Sequence, residues 1–275
     1  MRKMLMIACL LSFATMCGCR TAPTPEERAE QLRKIAAEQG DAAAQYWLGT
    51  CYFDGNGVEK DKAESVMWFR KAAEQGLADG QYWLGRCCAT GEGVAKDKAE
   101  AVKWLRKAAE QELADAQYWL GMCYFIGNGV AKDKAEAVKW WRKAAEQGNE
   151  RAQYSLGVCY YIGDGVTEDK GEAVKWWRKA AEQGNEWAQY ELGYCYYFGE
   201  GVSKDNAESL KWYRKAAEQG DAKAQFNLGW RYESGEGVAQ DMTEAVKWYR
   251  KAAEQGLEVA ELVLKRLEQR GGKAP

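Results

Sequence analysis

The chain contains no histidine. That absence removes the Ser-His-Asp triad, the Cys-His pair, the imidazole general base and every histidine-bearing metal site. Charge of one sign is not in excess either, since 39 Lys+Arg face 41 Asp+Glu and the isoelectric point is about 5.6. A nucleic-acid partner leaves a basic footprint, so none is expected. Zinc-type cysteine spacing is missing, and neither metal nor cofactor is expected. Proline is scarce: two of the three, Pro23 and Pro25, fall in one short stretch. What is present is 47% hydrophobic and 29% charged residues, the balance of a soluble folded protein.

Residues 1–18 differ in kind from the rest. Arg2 and Lys3 form a short positive region, and Met4 to Met16 is apolar and uncharged. This is the layout of a secretory signal peptide, too short to span a bilayer as a mature helix. The segment Thr15-Met16-Cys17-Gly18-Cys19 resembles a bacterial lipobox, with small Gly18 before an acceptor Cys19. The resemblance implies that Cys19 is acylated and anchors the chain to a membrane, where two or more acyl chains hold stably. Arg20 after the acceptor leans, by the same analogy, towards the outer membrane. An ordinary cleaved signal peptide with two incidental cysteines is the alternative. Residues 19–25, ending Thr21-Ala22-Pro23-Thr24-Pro25, read as the lipidated cysteine and a stiff linker.

From Ala36 onward the phrase Ala-Ala-Glu-Gln-Gly recurs every 36 residues, with Glu112 as the one replacement of the closing glycine. A period between 20 and 50 residues signals a solenoid. The units are 41–76, 77–112, 113–148, 149–184, 185–220 and 221–256. In the third, Ala116, Leu120, Cys123 and Tyr124 mark the apolar face of a first helix. Gly127-Asn128-Gly129 breaks it. Asp133 opens a second helix with Glu136 three residues on, the pattern of a reciprocal capping box, and the pair recurs in all six units. Ala137, Trp141, Ala144 and Ala145 then form the packing face, and Gly148 closes the unit. Residues 26–40 read as an N-terminal capping helix. Residues 257–275 read as a C-terminal cap and tail, with Leu257, Ala260, Leu264 and Leu267 on one face. The fold class expected is all-α, six 36-residue helix–turn–helix repeats.

Leu-Gly-x-x-Tyr in the first helix, Gly-x-Gly-Val in the turn and Ala-x-x-x-Trp-x-x-Lys-Ala-Ala-Glu-Gln-Gly in the second resemble the Sel-one-like repeat family, a tetratricopeptide-like class. The resemblance implies an α/α superhelical solenoid that serves as a protein-binding scaffold, without naming the partner. Departures are Cys88 in place of Tyr, Glu112 in place of Gly, and Arg231 in place of the repeated cysteine.

Several constellations read as structural. Cys51, Cys87, Cys123, Cys159 and Cys195 hold one position of the repeat, on helices too far apart for a disulfide. Exported relatives that bridge the two helices of a repeat carry a pair of cysteines per unit, and this chain has one. These thiols therefore read as buried packing residues. Trp68, Trp104, Trp140, Trp176, Trp212 and Trp248 recur once per unit, as packing between repeats demands. Gly55-Asn56-Gly57 and Gly163-Asp164-Gly165 complete neither a phosphate nor a calcium motif and read as turns. The lysines of the second helices alternate with acids and read as solvated.

One constellation reads as functional. The six first helices vary most at their third, seventh, tenth and fourteenth positions, which fall on one stripe. This stripe carries Trp119, Met122, Ile126, Val158, Ile162, Trp187, Tyr194, Phe198 and Trp230. Exposed together, such side chains mark a binding site, here a groove for a peptide or an extended protein segment; packing of some of them against the adjacent repeat is the alternative. The function expected is a non-catalytic adaptor, exported and lipid-anchored in the bacterial cell envelope as an outer-membrane lipoprotein facing the periplasm or the surface. The alternative is an exported surface factor engaging a host protein. Some exported relatives are associated with β-lactam hydrolysis, which needs Ser-x-x-Lys. None of the six serines (Ser12, Ser65, Ser155, Ser203, Ser209, Ser234) has lysine three residues on, so no enzyme is expected.

Overall fold

The structure, a computed structural model, describes residues 23–271. Cys19 and the apolar stretch before it lie outside the described residues, as do residues 272–275. Among the described residues there are fourteen α-helices and no strand. Helix α1 (Pro25–Glu38) comes first. Six hairpins follow: α2 (Ala42–Asp54) with α3 (Lys62–Glu74), α4 (Ala78–Thr90) with α5 (Lys98–Glu110), and α6 (Ala114–Ile126) with α7 (Lys134–Glu146). Then come α8 (Glu150–Ile162) with α9 (Lys170–Glu182), α10 (Glu186–Phe198) with α11 (Asn206–Gln219), and α12 (Ala222–Ser234) with α13 (Met242–Glu254). Helix α14 (Glu258–Gly271) is last. This is the all-α array of helix pairs that the 36-residue period predicts. The chain divides at Ala144/Ala145, inside α7, into two compact units.

The capping box forms only in half. Asp97 accepts from Glu100 N at 2.9 Å, and Asp61, Asp133, Asp169, Asp205 and Asp241 do the same at their own helices. The return bond from the glutamate to the cap N–H is not made. The tight hairpin brings each cap N–H to a first-helix carbonyl instead, as with Asp61 N to Tyr52 O at 3.0 Å and Asp205 N to Tyr196 O at 2.9 Å. With that donor satisfied, the glutamate turns along its own helix. Glu64 and Glu100 accept from the indole N–H groups of Trp68 and Trp104, and Glu136, Glu172, Glu208 and Glu244 pair with the lysine three residues on. A complete box exists at α1, between Thr24 and Glu27.

The repeated second-helix tryptophans pack between repeats within each unit. Trp104 joins Val66, Phe69 and Cys87, and Trp212 joins Val174, Trp177 and Leu192. The lysine three residues further on lies over each ring, from 3.9 Å at Lys71 to 4.5 Å at Lys143. One lysine per second helix therefore covers an aromatic face instead of standing free in water.

Leu48, Leu84, Leu120, Leu156, Leu192 and Leu228 are fully buried. The glycine after each leucine lets the second helix come close. A Cβ on Gly157 would sit 2.3 Å from the Trp177 ring, and one on Gly193 would sit 2.7 Å from Tyr213. A polar ladder accompanies this apolar contact. Buried Gln81 donates to Ala73 O of the preceding repeat at 3.2 Å and accepts from Gln111 at 2.8 Å. In the second unit Gln189 donates to Ala181 O at 3.1 Å and accepts from Gln219 at 2.7 Å. The last helical residues of one repeat are thereby tied to both helices of the next, and the buried amides are paired.

Glu112 keeps the backbone of the glycine that it replaces, with φ of 65°. A side chain in this left-handed region costs about 1 kcal/mol, and a Cβ at the equivalent Gly76 and Gly148 meets nothing within 4 Å. The penalty is therefore conformational and not a clash. Glu112→Gly is expected to raise stability by up to about 1 kcal/mol, read as a higher urea midpoint with an unchanged slope.

Candidate functional site

Every expected stripe residue reaches the surface at least in part. In the first unit, α6 presents Trp119 and Met122 half-buried and Ile126 exposed. Trp119 leans on its own unit: the Arg86 guanidinium lies 5.6 Å from its ring and 5.0 Å from that of Trp83. In the second unit Val158 is half-buried against the core, while Ile162 on the last turn of α8 is exposed. Trp187 is 51% exposed and rests one edge against Tyr154, with ring centres 5.7 Å apart. Tyr194 is half-buried and lies 4.5 Å from the ring of Phe198, which is 56% exposed. Within each unit the stripe is thus an exposed apolar ridge on the first helices, rooted in the core by its more buried members.

Of the ten large hydrophobic side chains exposed among the described residues, six lie on first-helix stripe positions: Trp47, Ile126, Ile162, Trp187, Phe198 and Trp230. Exposed apolar side chains scattered at random would not favour one helix face. Nothing in the folding of the hairpin requires large apolar groups there.

Tyr194, Phe198 and Trp230 also meet around a cavity of about 220 Å³, completed by Tyr190, Tyr197, Tyr213, Asn227 and Arg231. Arg231 takes the position that is cysteine in the other repeats, and its side chain is 1% exposed. Its Nη2 donates to Ser209 Oγ at 2.7 Å and its Nη1 to the Glu236 carbonyl at 3.5 Å. The guanidinium lies 4.8 Å from the Tyr197 ring and 5.4 Å from that of Tyr213. Burial lowers its pKa, and the neighbouring Tyr213, the Glu236 carboxylate and Tyr197 work against that; a guanidinium starts so high that it stays charged. On the same ridge, burial raises the Glu191 carboxyl above the usual carboxylate range, Lys223 opposes the rise and Asp221 adds to it. The sequence shows Arg231 as a departure from the repeat. Its place in an aromatic cavity depends on Tyr197 and Tyr213, which only the fold brings near.

Among the described cysteines, Cys87, Cys88, Cys123, Cys159 and Cys195 are buried packing residues, whereas Cys51, contrary to the expectation, is only half-buried and lines a surface cavity with Leu32 and Trp47. Burial pushes the Cys87 thiol up to about 11 and the Cys195 thiol up to about 12. Thiols so raised are protonated at neutral pH and poor nucleophiles. The Gly-x-Gly turns have a packing task as well. Gly93 has φ of +70°, and a Cβ there would lie 2.0 Å from the Lys62 carbonyl oxygen of the preceding repeat. Among the described residues no group of three or more Cys, Asp or Glu side chains is placed to hold a metal, and no helix is long and apolar enough to cross a membrane.

Comparison with known proteins agrees with this geometry. The family model described as Sel1 repeat matches six times, at residues 42–77, 78–113, 114–149, 150–185, 188–221 and 222–257. Among solved structures, the chain is similar to a protective antigen present in uropathogenic Escherichia coli strains that displays an SLR fold. The identity is 47% and the TM-score 0.85, over 90% of this chain and 52% of that one. The chain thus spans about half the length of that antigen. It is also similar to a Sel1 repeat protein from Oxalobacter formigenes, at 37% identity and a TM-score of 0.72, over 82% of this chain and 91% of that one. No curated protein matches the chain.

Proposed function

The chain belongs to the Sel1 repeat family, and from that premise we propose that it is a scaffold of the bacterial cell envelope, held at a membrane by lipid on Cys19, whose first-helix ridges bind an extended segment of a partner protein. Proteins of this family are in general non-catalytic scaffolds for protein interaction. The observation that carries the reading is the concentration of exposed large apolar side chains on one face of the first helices. Aromatic and aliphatic anchors of this kind supply most of the energy of a protein contact, and charges such as Glu191 and Lys223 set register.

A photoreactive phenylalanine analogue in place of Phe198 is expected to crosslink to a partner protein in living cells. The same analogue in place of Met67, which is exposed on second helix α3 and lies off the ridge, is expected to give no crosslink. Equal yields at both positions would remove the ridge from the account.

The likeness to a protective antigen favours a second reading, in which the chain faces outward and engages a host protein. Protease added to intact cells separates the two: cleavage supports the outward-facing form, and protection supports the periplasmic scaffold.

A further inference from the structure

We propose that the cavity at Arg231 takes the side chain of an aspartate or glutamate from within the extended partner segment, whose carboxylate pairs with the guanidinium. The inference rests on the scaffold reading above and adds the chemistry of one subsite.

A buried guanidinium normally has a carboxylate beside it, because an unpaired charge is costly to bury. Arg231 has only neutral acceptors, the Ser209 hydroxyl and the Glu236 carbonyl, and among the described residues no carboxylate oxygen lies within ion-pair distance of it. The Glu236 carboxylate attracts the guanidinium through space, but the hydrogen bonds of the nearby carboxylates go to other groups. Glu236 accepts from Tyr197 Oη at 3.4 Å and Asn206 Nδ2 at 3.2 Å, and Glu233 accepts from Tyr249 Oη and Arg266 Nη2, each at 2.7 Å. Glu191 lies on the ridge beside Lys223 and Asp221 and makes no pair with Arg231. No carboxylate is hydrogen-bonded to the guanidinium, and one supplied from outside would complete the site.

Size and surroundings narrow the occupant. About 220 Å³ falls below the roughly 300–1,000 Å³ of small-molecule and cofactor sites, so one side chain fits. Tyr190, Tyr194, Phe198 and Trp230 would enclose its apolar stem. Within the second unit apolar side chains continue on both sides, with Ile162 exposed on the last turn of α8 and Val259 exposed on the first turn of α14, at the place that Trp187 takes in α10. A segment lying along them passes through the site instead of ending there, which favours an acidic side chain over a chain-terminal carboxylate.

The test is selection of random nonapeptides against the purified full-length chain from two libraries, one fused at both ends and one with a free carboxyl terminus. The expected result is enrichment from the first library of peptides with Asp or Glu at one position between apolar residues. Amidated copies of these should weaken at least tenfold when that residue becomes Asn or Gln, and also on Arg231→Lys, which keeps the charge and loses the planar fork. The peptide substitution leaves the protein untouched, so the test survives a variant that folds poorly. Peptides that bind Phe198→Ser poorly but are indifferent to loss of their acid would overturn this inference and leave the scaffold reading standing. Selection only from the free-terminus library would make the occupant a chain end and overturn it too. Peptides indifferent to Phe198→Ser, or no peptides at all, would overturn both.

Discussion

Gly157→Ala is expected to destabilise the protein by about 2 kcal/mol, whereas Gly171→Ala is expected to stabilise it by about 0.5 kcal/mol. Both glycines are helical, and propensity alone would favour alanine at each by up to about 1 kcal/mol. Packing decides between them. At Gly157 the new Cβ would fall 2.3 Å from both Cδ1 and Nε1 of Trp177, a ring that is 1% exposed and fixed by its hydrogen bond to Tyr154 O at 3.2 Å. Close-packed interiors do not absorb such an overlap, so α8 and α9 must part or the indole must leave its acceptor. Overpacking costs about 1–3 kcal/mol and an orphaned buried donor a similar amount; the propensity gain offsets only part of this. At Gly171 the nearest neighbour is Asp169 Oδ1 at 3.3 Å, and four of the other five repeats already carry alanine (Ala63, Ala99, Ala135 and Ala207) near the same aspartate cap, the fifth having Thr243. Urea unfolding followed by circular dichroism checks both substitutions. Equal shifts of one sign would mean that close approach of the helices is not what selects glycine after the repeated leucine.

The contrast shows what the sequence discloses and what it withholds. A 36-residue period, an aspartate before each second helix and a glycine after each helix are local signals, and they place the hairpins without knowledge of any partner residue. The role of Gly157 is not local, since it depends on a side chain twenty residues later that is Phe69, Leu105, Trp141, Trp177, Tyr213 or Tyr249 in different repeats. The glutamine ladder is as regular as the tryptophans. A search for apolar periodicity passes over Gln45, Gln81 and Gln189 because polar residues are taken to face water. The capping glutamates illustrate competition for a donor: spacing predicts the reciprocal bond, but the hairpin return supplies a carbonyl first. The ridge is legible as variable, apolar positions, since variation between repeats marks what folding leaves free. The division of each member between exposed tip and buried root depends on neighbours such as Tyr154 under Trp187.

Replacing Trp187, Phe198 and Trp230 together by serine is expected to weaken partner capture by a hundredfold or more, while stability falls by less than about 2 kcal/mol. The two effects come from different parts of the same side chains. Each anchor that seats in a partner is worth about 2 kcal/mol or more, so loss of three takes binding below detection. Folding loses only the covered edges, namely the contacts of Trp187 with Tyr154, Phe198 with Tyr194 and Tyr197, and Trp230 with Tyr197. Trp177→Ser is the matched control from the core, expected to cost about 3–5 kcal/mol.

The direct measurement is therefore capture of envelope proteins by the immobilised full-length chain and by its triple-serine variant, with urea unfolding of both preparations. Loss of the captured proteins alongside a nearly unchanged unfolding midpoint is the predicted result. Undiminished capture by the variant, or unfolding as severe as that of Trp177→Ser, would contradict the claim that the first-helix ridge is a binding surface and not part of the core.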